Sequence, residues 1–290
     1  MEGIKRILFP SDFSANADHA LLHAVRLADF TEGEIIVQHV VSSYFEQHPH
    51  WAALFGVHEM QTELDGYIGT HVMPILDDTA GKIHVRKVIS KGETAQQIAD
   101  IAEKEMVDLV VMGSADGEFT NSVIRLTSRP VLAISMYSDA RPAPHMHKIN
   151  TILVATDFSQ HSNRVVRYAF GLRKMFDASV YLVHVIESPK VLEFGIRQSA
   201  FFNTVERMRA WAASQLLNLT PDEFINDPKV VRLVEFGSAS DRIAEIAEEV
   251  GADVTIVGTH EYGSLRKALM GSTTDDLLIK TTNPVLTVKM

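Results

Sequence analysis

Ile7-Leu8-Phe9-Pro10-Ser11-Asp12-Phe13-Ser14 returns 145 residues later as Ile152-Leu153-Val154-Ala155-Thr156-Asp157-Phe158-Ser159. Two further blocks repeat at the same offset. His39-Val40-Val41 is echoed by His184-Val185-Ile186, and residues 92–113 map onto 237–258 with 8 identities in 22 positions. Three separated blocks at one offset mark a duplicated domain, because a period this long exceeds the ~20–50 residues of solenoid repeats. The stretch Ser138-Asp139-Ala140-Arg141-Pro142-Ala143-Pro144-His145-Met146-His147 has two prolines and no apolar face. It reads as a linker, so the first domain spans 1–137, the linker 138–147 and the second domain 148–290.

Each half alternates short apolar runs with amphipathic stretches. In the first half strands are expected over 4–9, 34–41, 85–89, 107–112 and 131–134, with helices over 15–30 and 94–105. Ser14 stands where an N-cap belongs. Leu109-Val110-Val111-Met112 and Val254-Thr255-Ile256-Val257 are apolar on both faces, as central parallel strands are. The expectation is an α/β fold of two repeated domains, each a parallel sheet flanked by helices with right-handed crossovers. Long, dissimilar segments, 42–81 and 187–227, separate the second and third strands, and the latter holds a helix expected over 199–217.

Composition narrows the function classes. Hydrophobic residues make up 46% of the 290, enough for two cores. Without a single cysteine there is no thiolate metal site, disulfide or Cys nucleophile. A net charge of −10 opposes a fold-wide surface for nucleic acid. No apolar run approaches the ~20 residues that span a bilayer. These features predict no nucleic-acid partner, no membrane partner and a cytoplasmic location.

In an open parallel sheet, ligands bind beyond the carboxyl ends of the strands. Those ends carry Asp12 and Asp157, Val40 and Val185, and Gly113 and Gly258. In the second half the chain runs on from Gly258 to Gly271-Ser272-Thr273. Two readings stand there: glycines end a strand and Ser272 caps a helix, or backbone N–H groups and a helix dipole serve an anion. Asp12 and Asp157 have the chemistry of metal-binding or catalytic carboxylates, but a strand-end aspartate more often holds a turn, which favours structure for Asp12 and leaves Asp157 open between the two. His39 and His184 are expected to pack or hydrogen-bond locally. His48, His50, His58, His145 and His147 read as solvated loop residues rather than a metal site. Neither a Gly-x-x-x-x-Gly-Lys-[Ser/Thr] loop nor a Gly-x-Ser-x-Gly elbow occurs.

The I-L-x-x-x-D-x-S opening, the H-V after strand two and the G-T-H of strand four, followed by G-S, resemble the universal stress protein family. The likeness covers both halves, as in its tandem two-domain members. It implies five-stranded sheets of the Rossmann-like, adenine nucleotide alpha hydrolase-like kind and, in some members, ATP held by a G-x-x-G-x9-G-[S/T] loop. By that resemblance Ala155, Asp157 and Val185 line the nucleoside side, with Gly258, Gly271, Ser272 and Thr273 on the phosphate side. Glu261 stands at the family's second glycine, where a carboxylate opposes a polyphosphate, and Gly263 lies near it.

The first half keeps Pro10, Asp12 and Val40 but is nine residues shorter after strand four, so no ATP is expected there. Strand five of each half, 131–134 and 285–288, is expected to pair with the other in a built-in pseudo-dimer, with a further homodimer left open. The resulting expectation is a stress-response binding or regulatory protein with an unidentified protein partner, at most one degraded adenine-nucleotide site, in the second domain, and no metal. The alternative is an ATP-binding protein that hydrolyses ATP slowly there.

Overall fold

A computed structural model describes residues 3–42, 57–77, 79, 83–115, 117–135, 148–159, 162–187, 198–259 and 272–289. The expected linker, 138–147, and His48, His50, His145 and His147 lie outside them. The chain divides into two compact units, residues 2–148 and 149–290.

The first unit runs β1 (Arg6–Pro10), α1 (Ala15–Thr31), β2 (Glu34–Ser42), α2 (Val57–Tyr67), a π-helical turn (Ile68–Val72), α3 (Met73–Asp77), β3 (His84–Gly92), α4 (Thr94–Lys104), β4 (Leu109–Ser114), α5 (Glu118–Leu126) and β5 (Val131–Ser135). The second runs β6 (Thr151–Ala155), α6 (Ser162–Phe176), β7 (Ser179–Ile186), α7 (Gln198–Leu219), a 3-10 turn (Asp222–Phe224), β8 (Val230–Phe236), α8 (Ala239–Glu249), β9 (Val254–Thr259), α9 (Ser272–Lys280) and β10 (Val285–Lys289).

Within the first unit all pairings are parallel, in the order β3-β2-β1-β4-β5. The second unit repeats this as β8-β7-β6-β9-β10. Strand order therefore reverses between β1 and β4, and again between β6 and β9. Ile7, Leu8, Phe9, Val110 and Val111 are completely buried, as are Ile152, Leu153, Val154 and Ile256. Their continuous apolar character follows from helices covering both faces of a central parallel strand. The helical stretch over 57–77 was not anticipated from sequence. The Ser14 cap was: its hydroxyl accepts from the Ala17 N–H at 3.3 Å.

One carboxylate per unit fixes the register at the start of the first strand. Asp108 Oδ2 accepts from the backbone N–H of Lys5 and of Arg6, both at 2.9 Å. Asp253 Oδ2 does the same for Asn150 and Thr151, at 2.7 and 2.9 Å. This explains why aspartate recurs at both positions of the repeat. Removing either carboxylate strands two backbone donors, and bonds to a charged group contribute about 1.5–3 kcal/mol. Asp108→Ala or Asp253→Ala should each cost about 2 kcal/mol of stability, read by urea denaturation, and Asn at either position should recover part of it.

On α1, burial, followed by repulsion from Arg26 and His19, pushes His23 down to about 4. The unfolded chain binds a proton near 6.5 that the folded chain refuses. Stability from this group is complete above pH 6.5 and drains away as pH falls towards 4. His23→Gln should flatten the stability profile between pH 6.5 and about 5, above the range in which most carboxylates titrate, in denaturation series at fixed salt.

Candidate functional site

Both switch points begin with the same turn. As the chain leaves β1, the Ser11 N–H donates to Gln38 O at 2.8 Å, and the Ser11 hydroxyl accepts from the Phe13 N–H at 3.1 Å. Asp12 Oδ1 then accepts from the Ser14 N–H at 3.0 Å and its hydroxyl at 2.5 Å. After β6, Thr156 Oγ1 accepts from Phe158 N–H at 3.2 Å, and Asp157 Oδ1 from Ser159 N–H at 2.9 Å. Phe13 and Phe158 sit between these bonds with φ of 63° and 60°, in the left-handed region. Both aspartates thus hold turns, as a strand-end Asp is expected to.

The inverted backbone turns each phenylalanine onto the histidine that follows in strand two. Phe13 stacks on His39 at 4.4 Å between ring centroids, and Phe158 on His184 at 4.0 Å. His39 Nδ1 lies 2.9 Å from Ser11 O, and His184 Nδ1 2.8 Å from Thr156 O. A carbonyl only accepts, so Nδ1 carries the proton in each ring. The two histidines pack and bond locally, as the sequence suggested.

In the second unit a cavity of about 470 Å³ opens beyond β6, β7 and β9. Of the residues expected there, Ala155, Asp157, Val185, Gly258 and Thr273 all line it. Ser272 begins α9, whereas Gly271 and Glu261 lie outside the described residues. Thr274, buried in the first turn of α9, donates its hydroxyl to Gly258 O at 3.4 Å and ties the helix start to the strand end. Sequence reasoning missed the roof. Met208 and Trp211, from α7, also line the cavity. Trp211 stands edge-on to Phe158, 5.3 Å away, and is 55% exposed. Its place in a helix was legible, but nothing local in the sequence says which way that helix turns it.

The first unit keeps a smaller cavity, about 360 Å³, at the same place. Lining positions correspond at the 145-residue offset: Asp12 with Asp157, Val40 with Val185, Ile98 with Ile243 and Gly113 with Gly258. A Cβ on Gly113 would meet Asn16 O at 2.7 Å, so only glycine lets the first turn of α1 press this closely on β4. Here the aromatic from the following segment is withdrawn. Tyr67 rests against Phe13 at 5.1 Å but is 5% exposed and donates its hydroxyl to Asp18 Oδ1 at 2.8 Å. Burial, above all, pushes its phenol well above the usual range. Among the described residues no group of three His, Asp or Glu side chains is placed to hold a metal ion, and no helix is long and apolar enough to cross a membrane.

A profile of the Universal stress protein family matches residues 3–135 and 148–289. A universal stress protein of Mycolicibacterium smegmatis is 25% identical over 98% of this chain and 96% of its own length. Universal stress protein G of Escherichia coli O157:H7 is 30% identical over 48% of this chain and 98% of its own. Among solved structures, a universal stress protein from Archaeoglobus fulgidus superposes with a TM-score of 0.68 at 20% identity, covering 98% of each chain.

Proposed function

We propose, from the premise that this chain belongs to the universal stress protein family in both of its halves, that it is a binding and regulatory protein acting in the cytoplasm. Its second domain holds an adenine nucleotide. The observation that carries this reading is the 470 Å³ cavity at the β6/β9 switch point, roofed by Trp211 and reached by the first turn of α9. That volume falls within the range of small-molecule sites. Trp211 supplies an exposed aromatic face for a base, Ala155 and Val185 its apolar seat, and Asp157 the wall beside the sugar. Gly258, Gly271, Ser272 and Thr273 bring the phosphates to a helix N-terminus, where backbone N–H groups favour an anion.

The lining residues described carry Asp157 and Glu187 but no Lys or Arg, an arrangement suited to holding a nucleotide weakly. Glu261, at the family's second glycine, adds to this. Two unit charges ~4 Å apart cost about 4 kcal/mol at an effective dielectric of 20. With solvent screening and side-chain freedom, a net penalty of ~1–3 kcal/mol is the scale expected, or about tenfold in affinity. The role is therefore sensing or binding rather than rapid turnover.

Two variants test this reading by calorimetry with Mg-ATP at fixed salt. Glu261→Gly should bind about tenfold more tightly than the unmodified protein. Adding Trp211→Ala to that variant should weaken binding about tenfold, since stacking on one base contributes about 1–3 kcal/mol. In a Trp51→Phe background Trp211 is the one remaining tryptophan, and its fluorescence should report saturation. No heat and no fluorescence change in the Glu261→Gly protein would overturn the assignment.

A further inference from the structure

Helix α9 is bound to α8 by a polar cluster that its counterpart in the first domain lacks. The Ser240 hydroxyl, buried at the start of α8, donates to Asp276 Oδ2 at 3.0 Å. It accepts in turn from Lys280 Nζ, also at 3.0 Å. The same ammonium reaches Asp241 Oδ1 at 2.7 Å and Asp276 Oδ2 at 3.5 Å. Two residues of each helix are thereby closed into one network. The hydrogen bond between Lys280 and Asp241 holds the ammonium above, and the carboxyl below, its ordinary range, so the network keeps its charges through neutral pH. Exposed ion pairs contribute little by themselves. This one closes on a buried hydroxyl, and connected groups of this kind fix geometry more firmly than single pairs.

The first domain builds the same topology without the cluster. Ser240 and Asp241 correspond to Ala95 and Gln96 at the offset of 145. Past the nine additional residues the offset becomes 154, α9 falls on α5, and Asp276 and Lys280 correspond to Ser122 and Leu126. No charge stands at any of these four positions. The Ser122 hydroxyl turns back to Glu118 O of its own helix, at 3.2 Å, and Leu126 is exposed. The residues after α5 are secured instead at the other end of α4. There Glu103 accepts from the Ser128 N–H and hydroxyl at 2.8 and 2.6 Å, and from Arg129 Nε at 3.0 Å.

The two clamped helices both contribute to the second cavity, Ala239 and Ile243 from α8, Thr273 and Thr274 from α9. Each helix start is also tied to the sheet. Glu187 Oε1, just past β7, accepts from the Ala239 N–H at 3.2 Å, and Thr274 donates to Gly258 O. With its start tied to β9 and its later turns tied to α8, α9 has the direction of its first N–H groups fixed. We propose that Lys280, together with Ser240 and Asp276, is a positioning residue for phosphate: the network holds the start of α9 where its N–H groups meet the phosphates. Without it the second domain keeps the nucleoside and loses the contribution of the phosphates. This role rests on the nucleotide reading given above.

Substitutions that install the first domain's residues test it in the Glu261→Gly background, with Mg-ATP and adenosine titrated separately by calorimetry at fixed salt. Lys280→Leu, Ser240→Ala and Asp276→Ser should each weaken Mg-ATP at least fivefold and leave adenosine within twofold. Lys280→Arg, which keeps the charge and the donors, should retain most of the ATP affinity. Asp276→Ser separates positioning from charge, since it removes a negative group from α9 and by electrostatics alone would tighten ATP. Hydrogen exchange of the ligand-free proteins gives an independent reading: the amides of α9 should exchange at least fivefold faster in the three variants, and those of α6 as before. Unchanged ATP affinity, tighter ATP in Asp276→Ser, equal losses for ATP and adenosine, or unaltered exchange in α9 would each overturn the proposal. A Glu261→Gly protein that binds neither compound overturns the nucleotide reading and this role with it. One that binds both, with variants that match it, overturns this role alone.

Discussion

A phenylalanine held in the left-handed region after each strand-end aspartate is the constraint on which both cavities depend. That backbone costs an L-residue about 1–3 kcal/mol. The flanking side chains offset it: a hydroxyl one residue before the aspartate and the aspartate itself each accept a backbone N–H across the turn. Stacking on His39 or His184 completes the arrangement, at about 0.5–1.5 kcal/mol for an aromatic pair. In the first domain the turn passes directly into α1, which begins at Ala15.

Much of this architecture is legible because the core strands are apolar without alternation and because the repeat aligns their ends. Asp12, Asp157, Val40 and Val185 fall at strand termini in both readings, and topology alone then brings them to a cavity. The helical stretch over 57–77 escaped for an identifiable reason. Its buried residues Leu64, Tyr67, Val72 and Leu76 are spaced three, five and four apart. The interval of five falls across the π-helical turn of residues 68–72, and a search for 3.6-residue periodicity breaks there. The left-handed phenylalanines were equally hidden, since aromatic residues rarely adopt positive φ. Only the hydroxyl and carboxylate around them, read together, signal the turn.

Trp211 was illegible in another sense. On α7, the fully buried Ala212 and Leu216, continued by the buried Thr220 just past the helix end, mark the face turned to the sheet with a spacing of four. Trp211 sits beside that face, at its border. Whether such a residue meets solvent, another helix or a cavity depends on where the whole helix lies over the sheet, and that is a tertiary fact.

The two repeats have used one scaffold in opposite ways. Each brings an aromatic from its second-to-third-strand segment against the strand-end phenylalanine, Tyr67 at 5.1 Å and Trp211 at 5.3 Å. Tyr67 is sealed by its bond to Asp18 and by stacking on His71, so it closes the first domain's turn and contributes nothing to its cavity. Trp211 has no hydroxyl and lines the second domain's cavity instead. The strand-two positions differ as well: Gln38, fully buried in the first domain, corresponds to Val183, fully buried in the second. Since the turn, the sheet order and the glycine at the end of strand four are common to both, these exchanges change what the cavity offers a ligand without disturbing what holds it open. Duplication supplied the freedom to make them, because the backbone conditions for a cavity reside in the turn rather than in its lining.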